Sequence, residues 1–341
     1  MKLNVVQRLQ LGVIYAILGV FVLIESPRPV VHVSLARSLR VILFAGLVYF
    51  ALNISVYKRN IDYIADYLFY VPSQSILVTP KVIAPKQVTA LPFPDVSAQG
   101  IVVADLRSNT ILYERNKSVK YPPASTTKVM TALVASELFP QHSTFTVDYS
   151  CTQIPSQKVG FVSGELLSLS DLLQSLLIAS AGDAACVLAQ THSPVSFVTR
   201  MNMMAKSLGM NNTKFSNAIG LDDFEHGQES TPYDLYLMTR QALANNFISD
   251  TVKIKELTIE SLQTSMSANY SHSLVNTNKL LWEIPESAGF KTGKTDGAKE
   301  VLIYLYTKED RDLVIIVMQS EDRFEDTKKI LNWVLASFVW D

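Results

Sequence analysis

Two apolar segments without a single charge, from about Leu9 to Ile24 and from about Val41 to Val56, open the sequence and separate it from everything downstream. Each is near the short end of the ~17–25 residues that cross a bilayer as a helix. A cleaved signal peptide is the alternative for the first. No small-x-small cleavage site follows it, however, since Glu25-Ser26-Pro27-Arg28-Pro29 comes at once. We read residues 1–59 as a membrane anchor of two transmembrane helices, about 9–24 and 41–56. Much of the mean hydropathy of +0.18 comes from this end. From 60 to 97 the chain carries Pro72, Pro80, Pro85, Pro92 and Pro94, which keep a spacer extended and semi-rigid. Residues 98–341 remain for one folded domain of ~240 residues.

Charge and cysteine usage exclude several classes. Lys and Arg number 30 against 31 Asp and Glu, a net charge of -1, so no basic face calls for nucleic acid. The two cysteines, Cys151 and Cys186, form no CxxC, and no Cys/His cluster has metal-ligand spacing. We therefore expect no metal and no cofactor. A disulfide between them stays open, although Cys186 lies in an apolar helical run and reads as a small core residue.

Within the domain the elements alternate from strands to helices and back. Gly100–Asp105 and Ile111–Glu114 read as strands about a turn at Ser108-Asn109. Ser168-Leu169-Ser170-Asp171 reads as a capping motif for a helix over Leu172–Ile178, and Ala184 to about Gln190 as another. Ser193-Pro194 and Ser230-Thr231-Pro232 open two more. Val301–Tyr306 and Leu313–Met318 are strands, and Arg323-Phe324-Glu325-Asp326 leads a closing helix. Strands at both ends around a helical middle predict an α+β domain, an antiparallel sheet covered by helices.

Inside that frame, Pro122-Pro123-Ala124-Ser125-Thr126-Thr127-Lys128 places a serine at a helix start and a lysine one turn later on the same face. A lysine freed of its proton can activate a serine hydroxyl, and a helix N-terminus favours a developing anion. Alone the pattern is common: Ser55-Val56-Tyr57-Lys58 is a decoy beside the second apolar segment. Its weight comes from two partners in order, Ser180 and Lys291-Thr292-Gly293. Other polar residues carry blander readings. His226 suits a structural hydrogen bond, Asp222, Asp223 and Glu225 a solvated loop, and Met201, Met203, Met204 and Met210 a core-facing helix.

The series Ser125-x-x-Lys128, Ser180, Lys291-Thr292-Gly293 resembles the serine penicillin-recognising enzymes, most closely the D-alanyl-D-alanine carboxypeptidases. Phe215-Ser216-Asn217, Gly220-Leu221-Asp222 and Asn276-Thr277-Asn278-Lys279-Leu280-Leu281 look like the same family. The resemblance runs from about Ala98 to the C-terminus. It implies a β-lactamase/transpeptidase-like fold with a mainly helical subdomain, and hydrolysis without a cofactor. Ser125 would form an acyl-enzyme with the penultimate D-alanine of a peptidoglycan stem peptide. Lys128 would be its base, its amine kept neutral by desolvation and by the charge of Lys291, and Ser180 would relay a proton to the leaving amine. Lys291, Thr292, Gly293 and Lys294 would bind substrate, with the N–H groups of Ser125 and Lys294 as oxyanion hole. β-Lactams would acylate the same serine. Nothing resembles the acidic deacylation loop of class A β-lactamases.

Two positions depart from the family. Its middle motif is Ser-x-Asn, and here Ser180-Ala181-Gly182 stands instead; Lys294 replaces the histidine common after Lys-Thr-Gly. Loss of one preorganised polar group can cost on the order of 10²–10³ in rate. For a binding homologue of low activity whose pocket is otherwise intact, the expectation is that Gly182→Asn raises turnover sharply. A muropeptide- or penicillin-binding homologue of low activity, and an endopeptidase or transpeptidase, are the alternatives. The substrate chemistry also orients the anchor. Arg28, Arg37 and Arg40 in the connection balance Lys2, Arg8, Lys58 and Arg59 on the flanks, so the charges favour neither orientation. An extracytoplasmic domain on the cell membrane is what the chemistry requires.

Overall fold

A sheet whose three central strands are apolar along most of their length can be buried only if both its faces are covered. The computed structural model, which describes residues 83–223, 225–262 and 270–340, has that arrangement. The two apolar segments, most of the spacer and the Ser55 decoy lie outside the described residues. Among the described residues no helix is long and apolar enough to cross a membrane.

The chain enters through β1 (Lys86–Gln87), β2 (Gly100–Asp105) and β3 (Thr110–Arg115). A single 3-10 turn, Ala124–Thr126, leads into α1 (Thr127–Leu138). The helical half follows. It comprises β4 (Thr144–Thr146), α2 (Tyr149–Thr152), β5 (Leu166–Ser168), α3 (Leu169–Ile178), α4 (Gly182–Thr191), α5 (Pro194–Ser207), α6 (Pro232–Leu243) and α7 (Asn246–Thr251). Then come the hairpin of β6 (Glu256–Glu260) and β7 (Ser271–Val275), α8 (Leu280–Glu283), β8 (Ser287–Thr295), β9 (Lys299–Lys308), β10 (Arg311–Ser320), α9 (Arg323–Ser337) and β11 (Phe338–Val339). The main sheet runs β3-β2-β10-β9-β8, so strands from the two ends of the domain meet at its centre. There Ile101 faces Val317 and Val103 faces Ile315.

Alternation sorts the side chains into two cores. Ile101, Val103, Tyr304, Leu313 and Ile315 pack with Ile330, Leu331 and Val334 of α9 on one face. Val102, Ala104, Ile303, Val314 and Ile316 join the larger helical core on the other. In α1 every residue from Thr127 to Ala135 is buried, as expected of a helix enclosed on all sides rather than amphipathic. Polar Lys128 and Thr131 are therefore held inside the protein. The capping box predicted at Ser168 is present, with Ser168 and Asp171 each bonding the other's backbone N–H. The cap starts α3 at Leu169, one turn before the apolar run suggests.

Two features go beyond the sequence expectations. β1 pairs with β11, Phe93 stacks on Tyr113 with centroids 3.6 Å apart, and Trp333 meets both rings edge-on. The end of the proline-bearing stretch is thus held on the domain. Cys151 and Cys186 form a disulfide, with Cα atoms 5.4 Å apart. The bond ties α2 to α4 across 35 residues of sequence. Reducing it should cost about 2–4 kcal/mol, read as a lower melting temperature in reductant than in its absence. Identical melting curves would show that the link carries no stability.

Candidate active site

The turn that carries Ser125 is held by sterics before any chemistry is considered. Ala124 has a left-handed backbone, φ 49°, unusual for a residue with a side chain. Two glycines leave room for it. A Cβ on Gly220, itself at φ +88°, would stand 2.1 Å from the Ala124 carbonyl oxygen. One on Gly293 would stand 2.9 Å from Ala124 Cβ and 3.0 Å from Ser125 N. Gly293, which the resemblance assigns to substrate binding, also makes space for the serine.

Lys128 follows one turn after Ser125, at the second position of α1. Its Nζ is 2.9 Å from Ser125 Oγ and donates to the Ile219 carbonyl at 2.6 Å. That carbonyl is delivered by a loop that Asn217 organises: its Oδ1 accepts from the N–H groups of Ile219, Gly220 and Leu221 at 3.1, 2.7 and 3.1 Å. Gln228 Oε1 in turn accepts from Ser216 N and Asn217 N at 2.9 and 3.0 Å. The Phe215-Ser216-Asn217 and Gly220-Leu221 segments thus form the floor under Lys128. Sequence reasoning does not reach the bracing role of Asn217 and Gln228, because a single polar side chain gives no signal of the loop it holds.

Burial lowers the Lys128 amine to about 7, against an opposing pull from the Asp183 carboxylate. Desolvation therefore does the work that the sequence reading shares between desolvation and Lys291. A neutral amine is the active form of such a base. The acylation rate should accordingly fall about tenfold per pH unit below pH 7 and level off above it, as a penicillin-acylation pH profile would show. A flat profile from pH 5 to 9 would contradict a titrating Lys128, on the same ordinary acid–base argument.

Ser180 and Lys291 converge from other elements. Ser180 closes the turn between α3 and α4 with φ 59°, a second left-handed residue with a side chain. Lys291 lies on β8, the edge strand paired with β9, and its Nζ donates to Ser180 Oγ at 2.8 Å and to the Thr292 carbonyl at 3.0 Å. Burial first, then the charges of Lys128 and Arg323, holds the Lys291 amine well below its ordinary value. A carboxylate arriving beside it would favour the ammonium form again. Thr292 Oγ1 is 2.5 Å from Thr277 Oγ1, and Thr295 donates to Asp222, which pins the end of β8 to the loop under Ser125.

The remaining polar residues divide between surface and site. Lys294 is largely exposed and ion-paired with Glu300 at 3.0 Å, so its extra charge is answered on the surface. Arg323, legible in the sequence only as the start of a helix, is 13% exposed and donates to the Gly293 carbonyl at 2.9 Å, adding a second cation beside Lys291-Thr292-Gly293. His226 bonds Asp223 at 3.1 Å on the surface. Among the described residues no cluster of acidic, His or Cys side chains could hold a metal ion.

Gly182 is the position where expectation and geometry part. It begins α4, and a Cβ there would meet Ser156 Oγ at 2.6 Å, Ser156 Cβ at 2.8 Å and Ile154 Cδ1 at 3.0 Å. No vacant slot awaits an asparagine. Gly182→Asn on its own should crowd the loop instead of raising turnover, the reverse of the sequence expectation.

Residues 86–322 match the family model described as D-alanyl-D-alanine carboxypeptidase. The chain belongs to this family. A D-alanyl-D-alanine carboxypeptidase of Mycobacterium tuberculosis is 35% identical over 230 residues, 67% of this chain and 77% of the relative. One from Escherichia coli is 31% identical over 264 residues, 72% of this chain but 63% of the relative's own length. Among solved structures, a Streptomyces DD-transpeptidase superposes with a TM-score of 0.68 at 26% identity, covering 72% of this chain and 100% of that one. A penicillin-binding protein homologue from Mycobacterium tuberculosis gives 0.67 at 30% identity, covering 74% and 96%. The penicillin-binding, transpeptidase-like α+β fold predicted from the sequence is the fold observed.

Proposed function

We propose that this member of the family is a serine D,D-carboxypeptidase that removes the terminal D-alanine of peptidoglycan stem peptides, and that β-lactams acylate it at Ser125. One observation carries the reading: a serine hydroxyl 2.9 Å from the amine of a fully buried lysine, whose burial favours the neutral form. In the first step Ser125 Oγ bonds to the carbonyl carbon of the penultimate D-alanine while its proton passes to Lys128 Nζ. Ser180, in contact with Lys291, relays that proton from Lys128 to the departing D-alanine nitrogen as the C–N bond breaks, which leaves the Lys128 amine neutral. A water then gives a proton to Lys128 as its oxygen bonds to the acyl carbon, and Lys128 passes that proton to Ser125 Oγ as the ester bond breaks, releasing the shortened peptide and restoring Ser125. Lys291, Thr292 and Arg323 suit the terminal carboxylate, a planar anion that cations and a hydroxyl can hold together. The N–H groups of Ser125 and Lys294 are assigned to the oxyanion.

The location belongs to the same proposal. The two uncharged apolar segments would anchor the chain in the cell membrane, residues 60–97 would act as spacer, and the domain from residue 98 would work on the extracytoplasmic side. The Cys151–Cys186 disulfide supports that side, since such bonds persist in oxidising compartments.

Purified protein incubated with a pentapeptide stem should release D-alanine and yield the tetrapeptide, and Ser125→Ala should release none. A second reading has support of its own, because one similar structure is named a DD-transpeptidase and one relative a D-alanyl-D-alanine endopeptidase. Cross-linked dimers formed from added acceptor peptide, with one D-alanine released per cross-link, or supplied dimers cleaved with no free D-alanine, would favour it.

A further inference from the structure

The middle motif lacks the amide side chain its family uses, yet the space is filled. The atoms that would collide with a Cβ at Gly182 belong chiefly to Ser156, whose Oγ would be 2.6 Å away. Real Cβ atoms do not come so close, so an asparagine at 182 and the hydroxymethyl of Ser156 are alternative occupants of one volume. That volume adjoins the Ser180 turn, where Ser180 Oγ meets Lys291 Nζ.

Ser156 is held there by several independent ties. The Gly182 N–H donates to the Gln157 carbonyl at 2.7 Å, and the Ser156 N–H to the Ile154 carbonyl at 3.0 Å. The buried Asp183 carboxylate accepts from the N–H groups of Val159, Gly160 and Phe161 at 3.3, 2.9 and 3.4 Å. Upstream, the Cys151–Cys186 disulfide fastens α2, just before the loop, to α4. Asp183 thus faces the loop rather than standing in for the missing amide. The Ser156 side chain is half-buried, and its hydroxyl makes no hydrogen bond among the described residues. A hydroxyl offers one donor and two acceptor lone pairs, enough to replace an amide toward one peptide group of a substrate.

We propose that Ser156 is the substrate-contacting polar group at this position, supplied by the loop 153–161 from outside the helix that carries it in the family pattern. The proposal rests on the acylation of Ser125 argued above. It makes Gly182 a compensated change, since the glycine is what admits the serine.

The test is the second-order rate of acylation by a fluorescent penicillin, with melting temperature and pH profile, for four proteins: the natural chain, Ser156→Ala, Gly182→Asn, and Ser156→Gly combined with Gly182→Asn. Ser156→Ala should acylate about tenfold more slowly, the loss of one hydrogen bond, with the melting temperature held. Its pH midpoint should stay near 7, whereas a loop that merely shields Lys128 would let in water and raise it. Gly182→Asn should lose both rate and melting temperature, and the double variant should regain both. Ser156→Ala within about twofold of the natural rate, or a raised pH midpoint, would overturn the proposal. So would Gly182→Asn behaving like the natural chain. If the natural chain itself takes no label, the acylation reading fails; if it is labelled and Ser156→Ala is indifferent, only this inference falls.

Discussion

Lys128→Met should slow acylation of Ser125 by on the order of 10²–10⁴-fold while the protein still folds. Methionine matches the length of the lysine stem and keeps the packing inside α1, where Lys128 is fully buried. Two opposing terms act on stability. Removing an amine that burial disfavours in its charged form is stabilising, while leaving the Ile219 carbonyl without its donor costs about 1–3 kcal/mol. Catalysis has no such compensation, because no other base lies within hydrogen-bond reach of Ser125 Oγ among the described residues. Lys128→Arg should fail as well, since a guanidinium stays charged and cannot accept the serine proton. Acylation followed by fluorescent penicillin, beside thermal melts, separates the two effects. A Lys128→Met protein acylating at the natural rate would take the base role away from this residue.

The second large effect is expected at a residue with no side chain to titrate. Gly220→Ala would place a methyl 2.1 Å from the Ala124 carbonyl oxygen, at a φ of +88° that L side chains rarely adopt. Neither partner can yield easily. Ala124 is itself left-handed, Gly293 closes its other side, and the Gly220 N–H is fixed by Asn217 at 2.7 Å. Overpacking and backbone strain together should cost at least ~2 kcal/mol. Because the displaced atoms precede the nucleophile, a shift near ~1 Å should also slow acylation roughly 10²-fold. A melt together with an acylation rate reads both. A Gly220→Ala protein unchanged in either would mean that the turn is not wedged between the two glycines.

These two residues show what a sequence discloses and what it withholds. Lys128 is legible because serine and lysine three apart must share a helix face, and because Ser180 and Lys291-Thr292-Gly293 follow in order. The sheet is legible for a similar reason: runs such as Val301–Tyr306 and Leu313–Met318 fit buried strands. Gly220 carries no such mark. Its requirement arises from Ala124, far earlier in the chain, and only the fold brings them together. The same holds for Arg323, whose guanidinium reaches Gly293 across the hairpin of β8 and β9. Gly182 is legible as a departure and misleading as a vacancy, since Ser156 approaches it from a loop with no periodicity to read. Cys186 does lie in a buried helix, but the partner that decides its chemistry sits 35 residues away.

The nucleophile itself is tested most directly by intact-mass spectrometry of the protein incubated with benzylpenicillin, followed by peptide mapping. A single penicilloyl adduct should be found on Ser125. The adduct should be absent from Ser125→Ala and strongly slowed in Lys128→Met. Protein that stays unmodified at saturating penicillin, or an adduct that maps to another residue, would contradict Ser125 as the nucleophile and the function built upon it.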